Sequence, residues 1–312
     1  MSASSSGQES RGALRLRQRI FRPQTLFATA SLVMLAVFGP RLIRHLPDLS
    51  EQSEYQLRAS KIEITPPPHW VPYDLIRQVV DAAGWENNGA SVLEDELAEE
   101  VAVAFGRHPW VSRVNQVRKI PPNVVEIDLS YRQPVGLVEI GQGLYYPISA
   151  DAVLLPPADF SRADFGRYPI IRGVSSLPEG PAGSVWGDAM VVGAARLAEH
   201  LMRSYDRDRC HWEAFGLMAV NCPDEPETDG ETEVDDINFS LTTTQGSEIL
   251  WGRAPGTGHP GELSAEQKIG RLRQYLDDYG SFVHPSGPLE IDIRHWQEIT
   301  QRLLNSRTAS RR

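Results

Sequence analysis

Between residues 71 and 131 the hydrophobic positions change period. Leu75, Ile76, Val79, Val80 and Ala83 recur at the spacing of one helix face and predict a helix over Val71–Ala83, closed by Gly84. Ser91 and Glu94 have the form of a capping box opening a second helix, with Leu93, Leu97, Val101, Ala104 and Phe105 on its apolar side. Beyond Phe105-Gly106 the period drops to two. Val125, Ile127 and Leu129 alternate with Glu126, Asp128 and Ser130, so Val124–Tyr131 predicts a strand with one buried face. Val114–Arg118 predicts its partner across a Pro121-Pro122-Asn123 turn, and Tyr55–Ile64 a weaker strand before the helices. The order strand, helix, helix, strand, strand predicts a small α+β unit over residues 55–138.

A second set of patterns follows. Leu144–Ile148 and Ala150–Leu154 predict a hairpin, and Pro169–Val174 a short buried strand. Asp188–Tyr205 carries Met190, Val191, Ala194, Leu197, Ala198, Leu201 and Met202 on one helical face. Trp212–Val220 predicts a strand, and Ile237–Thr243 with Glu248–Trp251 a pair joined by Gln245-Gly246-Ser247. Leu263–Tyr279 predicts a helix with Ile269, Leu272, Tyr275 and Leu276 inward and Lys268, Arg271, Arg273 and Gln274 outward. Leu289–Arg294 alternates as a last strand.

Charge changes the picture at the amino terminus. The chain of 312 residues has net charge −10, yet residues 1–22 hold five Arg against one Glu. An acidic body argues against nucleic acid as partner, because phosphate binding needs a basic face on the folded part. Residues 1–23 predict a disordered basic tail. Gln24–Pro40 then runs 17 residues without a charge, the short end of a membrane-spanning helix, and Leu42, Ile43 and Leu46 extend it to 24–46 if Arg41 and Arg44 snorkel. A cleaved signal peptide needs small residues after the apolar run, where Phe38-Gly39-Pro40-Arg41 stands instead. The Arg excess before the span predicts the amino terminus in the cytoplasm and the body outside it. Pro223–Asp236, with eight acidic residues in 14, predicts an exposed loop; its carboxylates lack the spacing of a calcium loop.

His108-Pro109-Trp110-Val111, then Val117-Arg118, Pro121 or Pro122, Ile127, Arg132, Pro134 and Val135 resemble the end of a POTRA domain of the kind found in the division proteins FtsQ and DivIB. Glu248–Arg253, Gln267–Leu272 and Ile291-Asp292-Ile293-Arg294 are similar to the closing motifs of that family, in the same order. The resemblance implies an α+β protein with a single amino-terminal transmembrane helix, a POTRA domain (55–138), a larger β-rich domain with flanking helices (139–298, including the acidic loop 223–236) and a carboxy-terminal tail (299–312). It implies a non-enzymatic divisome scaffold in the cytoplasmic membrane, its body extracytoplasmic, gathering FtsB- and FtsL-like coiled-coil proteins at the septum. Partner binding would fall on Ile291, Ile293, Arg294, His295 and Trp296, where the family often has Tyr at the place of His295. Pro109, Trp110, Val111, Pro122, Arg132 and Pro134 would be structural. The alternative is a POTRA-bearing protein of envelope transport or assembly that binds polypeptide by strand addition.

Candidate chemistry adds little. Gly252–Gly261 precedes a helix, but Glu262-Leu263-Ser264 stands where a phosphate-binding loop needs Gly-Lys-Ser/Thr. No Gly-x-Ser-x-Gly or His-Glu-x-x-His occurs. Neither a cofactor, a metal nor a small-molecule substrate is expected. Cys210 and Cys222 leave three readings open: a disulfide in an oxidising compartment, two free thiols, or a metal site with His211.

Overall fold

The structure, a computed structural model, describes residues 27, 31–38, 52, 54–85, 90–141, 143–223 and 233–304. The chain divides into two compact units, Met1–Tyr55 and Gln56–Arg312. In the first, residues 31–38 are helical, with Leu32, Val33, Met34 and Leu35 exposed. No helix among the described residues is long and apolar enough to cross a membrane. The predicted tail 1–23 and most of the predicted span 24–46 lie outside the described residues.

The second unit is built on two sheets, each with its own core. Strands β1 (Ile62–Ile64), β2 (Val111–Ile120) and β3 (Val124–Tyr131) form the first, in the order β1-β3-β2. β1 runs parallel to β3, with Ile62 beside Val125, and β2 runs antiparallel to it. Helices α1 (Leu75–Ala83) and α2 (Leu97–Gly106) bring Leu75, Val79, Val80, Leu97, Val101 and Phe105 onto Val125, Ile127 and Leu129. Burying an aliphatic side chain of this size stabilises by roughly 1.5–3 kcal/mol, so a one-residue slip of β3, exposing three of them, is strongly disfavoured. Gly84, at φ 71°, ends α1 in the left-handed region open to glycine.

The second sheet has nine strands. After β4 (Pro134–Ile140) and β5 (Leu144–Ser149) come β6 (Ile170–Arg172), helix α3 (Ala189–Leu201), the short helix α4 (His211–Ala214), β7 (Leu217–Asn221), β8 (Phe239–Thr243) and β9 (Glu248–Gly252). Helix α5 (Ala265–Tyr279), β10 (Val283–His284), β11 (Gly287–Asp292) and β12 (Thr300–Leu303) complete it. The order is β10-β11-β9-β8-β7-β6-β4-β5, with β12 also paired to β11. Asp188 caps α3 by accepting from the Met190 amide at 2.7 Å, and Ser264 with Gln267 forms a capping box on α5. Trp186, Leu197, Leu201, Trp251, Leu272 and Ile291 share the core under these helices.

Several expectations change. The strand expected over Tyr55–Ile64 shrinks to Ile62–Ile64, because a 3-10 turn occupies Ala59–Lys61. Ser91 caps no helix: it is buried, its hydroxyl accepts from the Leu93 amide at 3.3 Å, and α2 starts only at Leu97. A serine that satisfies a local turn is no longer available to a helix start. Trp212 lies in α4 rather than in a strand. The hairpin expected between 144–148 and 150–154 survives as one bridge, Ile148 to Leu154, while β5 pairs along its length with β4. β4 carries no period-two signal because Pro134–Val138 is buried throughout. The chain therefore changes sheets at Arg132-Gln133, ahead of the boundary expected at 138. Of the acidic stretch, 224–232 lies outside the described residues, and Val234–Asp236 forms a 3-10 turn.

Candidate partner-binding edge

β11 is not the outer strand. β9 pairs with Glu290, Ile291 and Asp292 in parallel, and β12 pairs with Leu289–Asp292 in antiparallel, so the two lie on opposite sides of β11. β12 falls within the expected tail 299–312. Thr300, Gln301, Arg302 and Leu303 are all exposed, and among the described residues no strand pairs with the far side of β12. A short flexible-looking tail can form a strand because β11 offers it a ready ladder; the four residues show too little pattern to announce one.

Two of the residues expected to contact a partner are elsewhere. Ile291 and Ile293 are fully buried in the core, so their side chains support the edge from beneath. Arg294, His295 and Trp296 lie at the surface, in the connection between β11 and β12. Arg294 folds back on Asp292, its Nε and Nη2 donating to the two carboxylate oxygens at 3.0 and 2.7 Å. Burial would raise the Asp292 carboxyl, but hydrogen bonds from the Arg294 side chain and amide outweigh it and hold the group below the usual carboxylate range. His295 Nε2 stands 3.5 Å from the same carboxylate. Trp296 is 59% exposed, yet its indole donates to the Gly261 carbonyl at 2.8 Å.

Residues outside the expected set fix this connection. Arg271 of α5 donates to the Trp296 carbonyl at 2.6 Å and the Glu298 carbonyl at 3.0 Å. The Tyr275 hydroxyl bonds the Gln301 side chain. On the opposite face of β12, Arg302 pairs with Glu290 at 2.7 Å. Arg271 carried a sequence signal only as an outward position of its helix; that its partners are carbonyls 25 and 27 residues away has no local signature. Lys268 reverses its expectation. It is 2% exposed, paired with Glu262, and its ammonium lies 5.2 Å from the centre of the Trp251 ring. Burial drives the Lys268 ammonium down from its usual range, partly offset by the hydrogen bond to Glu262. A lysine between Gln267 and Ile269 reads as solvated until the loop carrying its carboxylate is placed.

The Pro-Trp-Val corner joins the two sheets. Trp110 is fully buried, stacks on Phe160 at 5.9 Å, and donates its indole N–H to Asp159 at 2.7 Å. Arg132 donates Nη1 to the carbonyls of Pro109 and Val111, and its Nε lies 3.4 Å from Asp151. Pro122 follows a cis bond from Pro121, and Pro134 and Val111 are buried. Cys210 and Cys222 are both free cysteines, and no group of three His, Cys, Asp or Glu side chains among the described residues could hold a metal ion. Cys222 is buried, and burial pushes its thiol up to about 12.

No family model matches the chain. It is 33% identical over 111 residues to a cell division protein FtsQ from Geotalea daltonii, covering 35% of this chain and 38% of that protein. It is 28% identical over 199 residues to a cell division protein FtsQ from an Anaeromyxobacter species, covering 63% of this chain and 56% of that protein. The chain thus spans less than two thirds of the length of these curated relatives.

Proposed function

We propose, from the FtsQ-type assignment that these two relatives support, that this protein is a non-enzymatic scaffold of the bacterial division complex. It is held in the cytoplasmic membrane by residues 24–46, with its body outside the cytoplasm, and gathers single-pass septal proteins of the FtsB and FtsL kind. The observation that carries the reading is β12. An exposed outer strand with free backbone donors and acceptors is what strand addition requires, and β12 is backed by buried Ile291 and flanked by Trp296. In this reading the partner's segment lies along Thr300–Leu303, and Arg294, His295 and Trp296 border one end of it.

The test is binding of the full chain to its coiled-coil division partner. Leu303→Pro removes a backbone donor on the outer side of β12 and kinks the strand, and Trp296→Ala removes the bordering indole. Loss of binding in the proline variant, with a fluorescent fusion no longer gathering at the division site, is the expected result. Unchanged binding in both variants overturns the edge assignment, and an even distribution of the wild-type fusion around the envelope overturns the division role.

A further inference from the structure

Away from β12, a cleft of about 840 Å³ opens between α3, the glycine-rich loop after β9 and the start of α5. That volume lies within the roughly 300–1,000 Å³ usual for small-ligand sites. Arg196, His200 and Arg203 line one wall at intervals of four and three residues, so they rise on a single side of α3 and the turn after it. His200 is only 6% exposed, yet its ring nitrogens make no hydrogen bond among the described residues. It is not among the fully enclosed unpaired groups either, which leaves its nitrogens open to the cleft it lines. A buried imidazole normally has a partner, and one that meets no protein group can bond a ligand atom in the cleft.

The carboxylates around the cleft are already engaged. Glu262 is held by Lys268 and Arg253. Glu199 lies 3.7 Å from Arg203. Glu266 is held below the usual carboxylate range by hydrogen bonds from its own backbone amide and from Ser264. Arg196 is exposed and has no carboxylate within ion-pair distance among the described residues. The capping box of α5 takes the Ser264 and Gln267 amides, and the arginine and histidine side chains of the α3 wall supply the capacity left to a ligand. It consists of donors.

We propose that this cleft binds a small ligand through an oxyanion, a carboxylate or a phosphate, which accepts a hydrogen bond from His200 and pairs with Arg196 and Arg203. The glycine-rich loop forms the facing wall, its Thr257 hydroxyl donating to the Ala254 carbonyl at 3.0 Å. The site is independent of strand addition at β12.

Histidine side-chain NMR of the full chain tests it, with succinate and inorganic phosphate as probes and the His200 signals assigned through His200→Gln. A saturable shift of the His200 resonances is expected with at least one probe, and the probe that acts identifies the oxyanion. Because a charge-assisted hydrogen bond is worth roughly 1.5–3 kcal/mol, Arg196→Ala should weaken that probe about tenfold or more. Arg162→Ala, an exposed arginine outside the cleft, should leave it unchanged. No saturable shift with either probe overturns the site, as does equal affinity in wild type and Arg196→Ala.

Discussion

Trp110 Nε1 donates to Asp159 Oδ2 at 2.7 Å, and that bond ties the corner of the first sheet to the segment that follows β5 in the second. Asp159→Ala leaves a buried indole N–H without a partner, a defect of about 1–3 kcal/mol. Trp110→Phe removes the donor and part of the stack on Phe160. In a double-mutant cycle by chemical denaturation the two losses should fall short of additive, since both delete one contact. Full additivity would show that the bond contributes nothing of its own.

Lys268 and Glu262 are a buried pair whose separation should be costly. Lys268→Met keeps the volume but leaves Glu262 with Arg253 alone, and breaking a buried pair typically costs about 3–5 kcal/mol. The residual Arg253 contact places the expectation at the lower end. The double variant Glu262→Gln/Lys268→Met should recover much of the loss in a thermal melt, because no uncompensated charge remains.

The hydrophobic periods were enough to place α1, α2, β3, α3 and α5, because each buries one face against a sheet. They failed where burial has no period, as in β4, and where order comes from distant partners. β12 has no buried residue of its own; it exists through pairing to β11 and through Arg271 and Tyr275. Ile291 and Ile293 alternate as a core strand does and are buried, so in the function proposed above the open backbone edge is that of β12. The cleft beside α3 has even less to show: Arg196 is an ordinary exposed helix position, Arg203 lies exposed just past the helix, and His200 reads as one more member of it.

Stability should decline in mildly acid solution through histidines. Burial lowers His200 and His211 from the usual range, the latter also through Arg273, so the unfolded chain binds more protons. Their contribution is then complete above about pH 6.5 and is lost as pH falls below it. The depressed carboxylates Asp292 and Glu262 act only at lower pH, below about 4. Among the described residues His211 Nδ1 is buried without a partner, and the ring stacks on Phe215 at 5.8 Å. His211→Phe should therefore flatten the melting temperature between about pH 7 and about pH 5.5. An unchanged slope would place the effect on another group.

Thiol labelling should separate the two cysteines. Cys210 is partly exposed and Cys222 is buried with its thiol far from ionisation at neutral pH. Treating the native, unreduced chain with a maleimide should add one mass increment, and unfolding it before treatment should add two. No increment in the unfolded, unreduced chain would mean that the cysteines are bridged in solution.

Arg271 is the residue on which the presentation of β12 should depend. Its guanidinium is bonded to two carbonyls in the β11–β12 connection, whereas the four residues of β12 bury no side chain. Arg271→Ala removes those two bonds but leaves Ile269, Leu272 and Tyr275 in the core. Each bond is worth about 1 kcal/mol to the local structure, and local opening can lie far below global unfolding in free energy. Hydrogen exchange should therefore quicken over residues 296–304 in the variant while β9 and α5 keep their protection. Partner binding at the edge should weaken in parallel, because a partner would then have to order the strand before adding to it. Unchanged exchange over 296–304 would mean that pairing with β11 alone holds β12 in place.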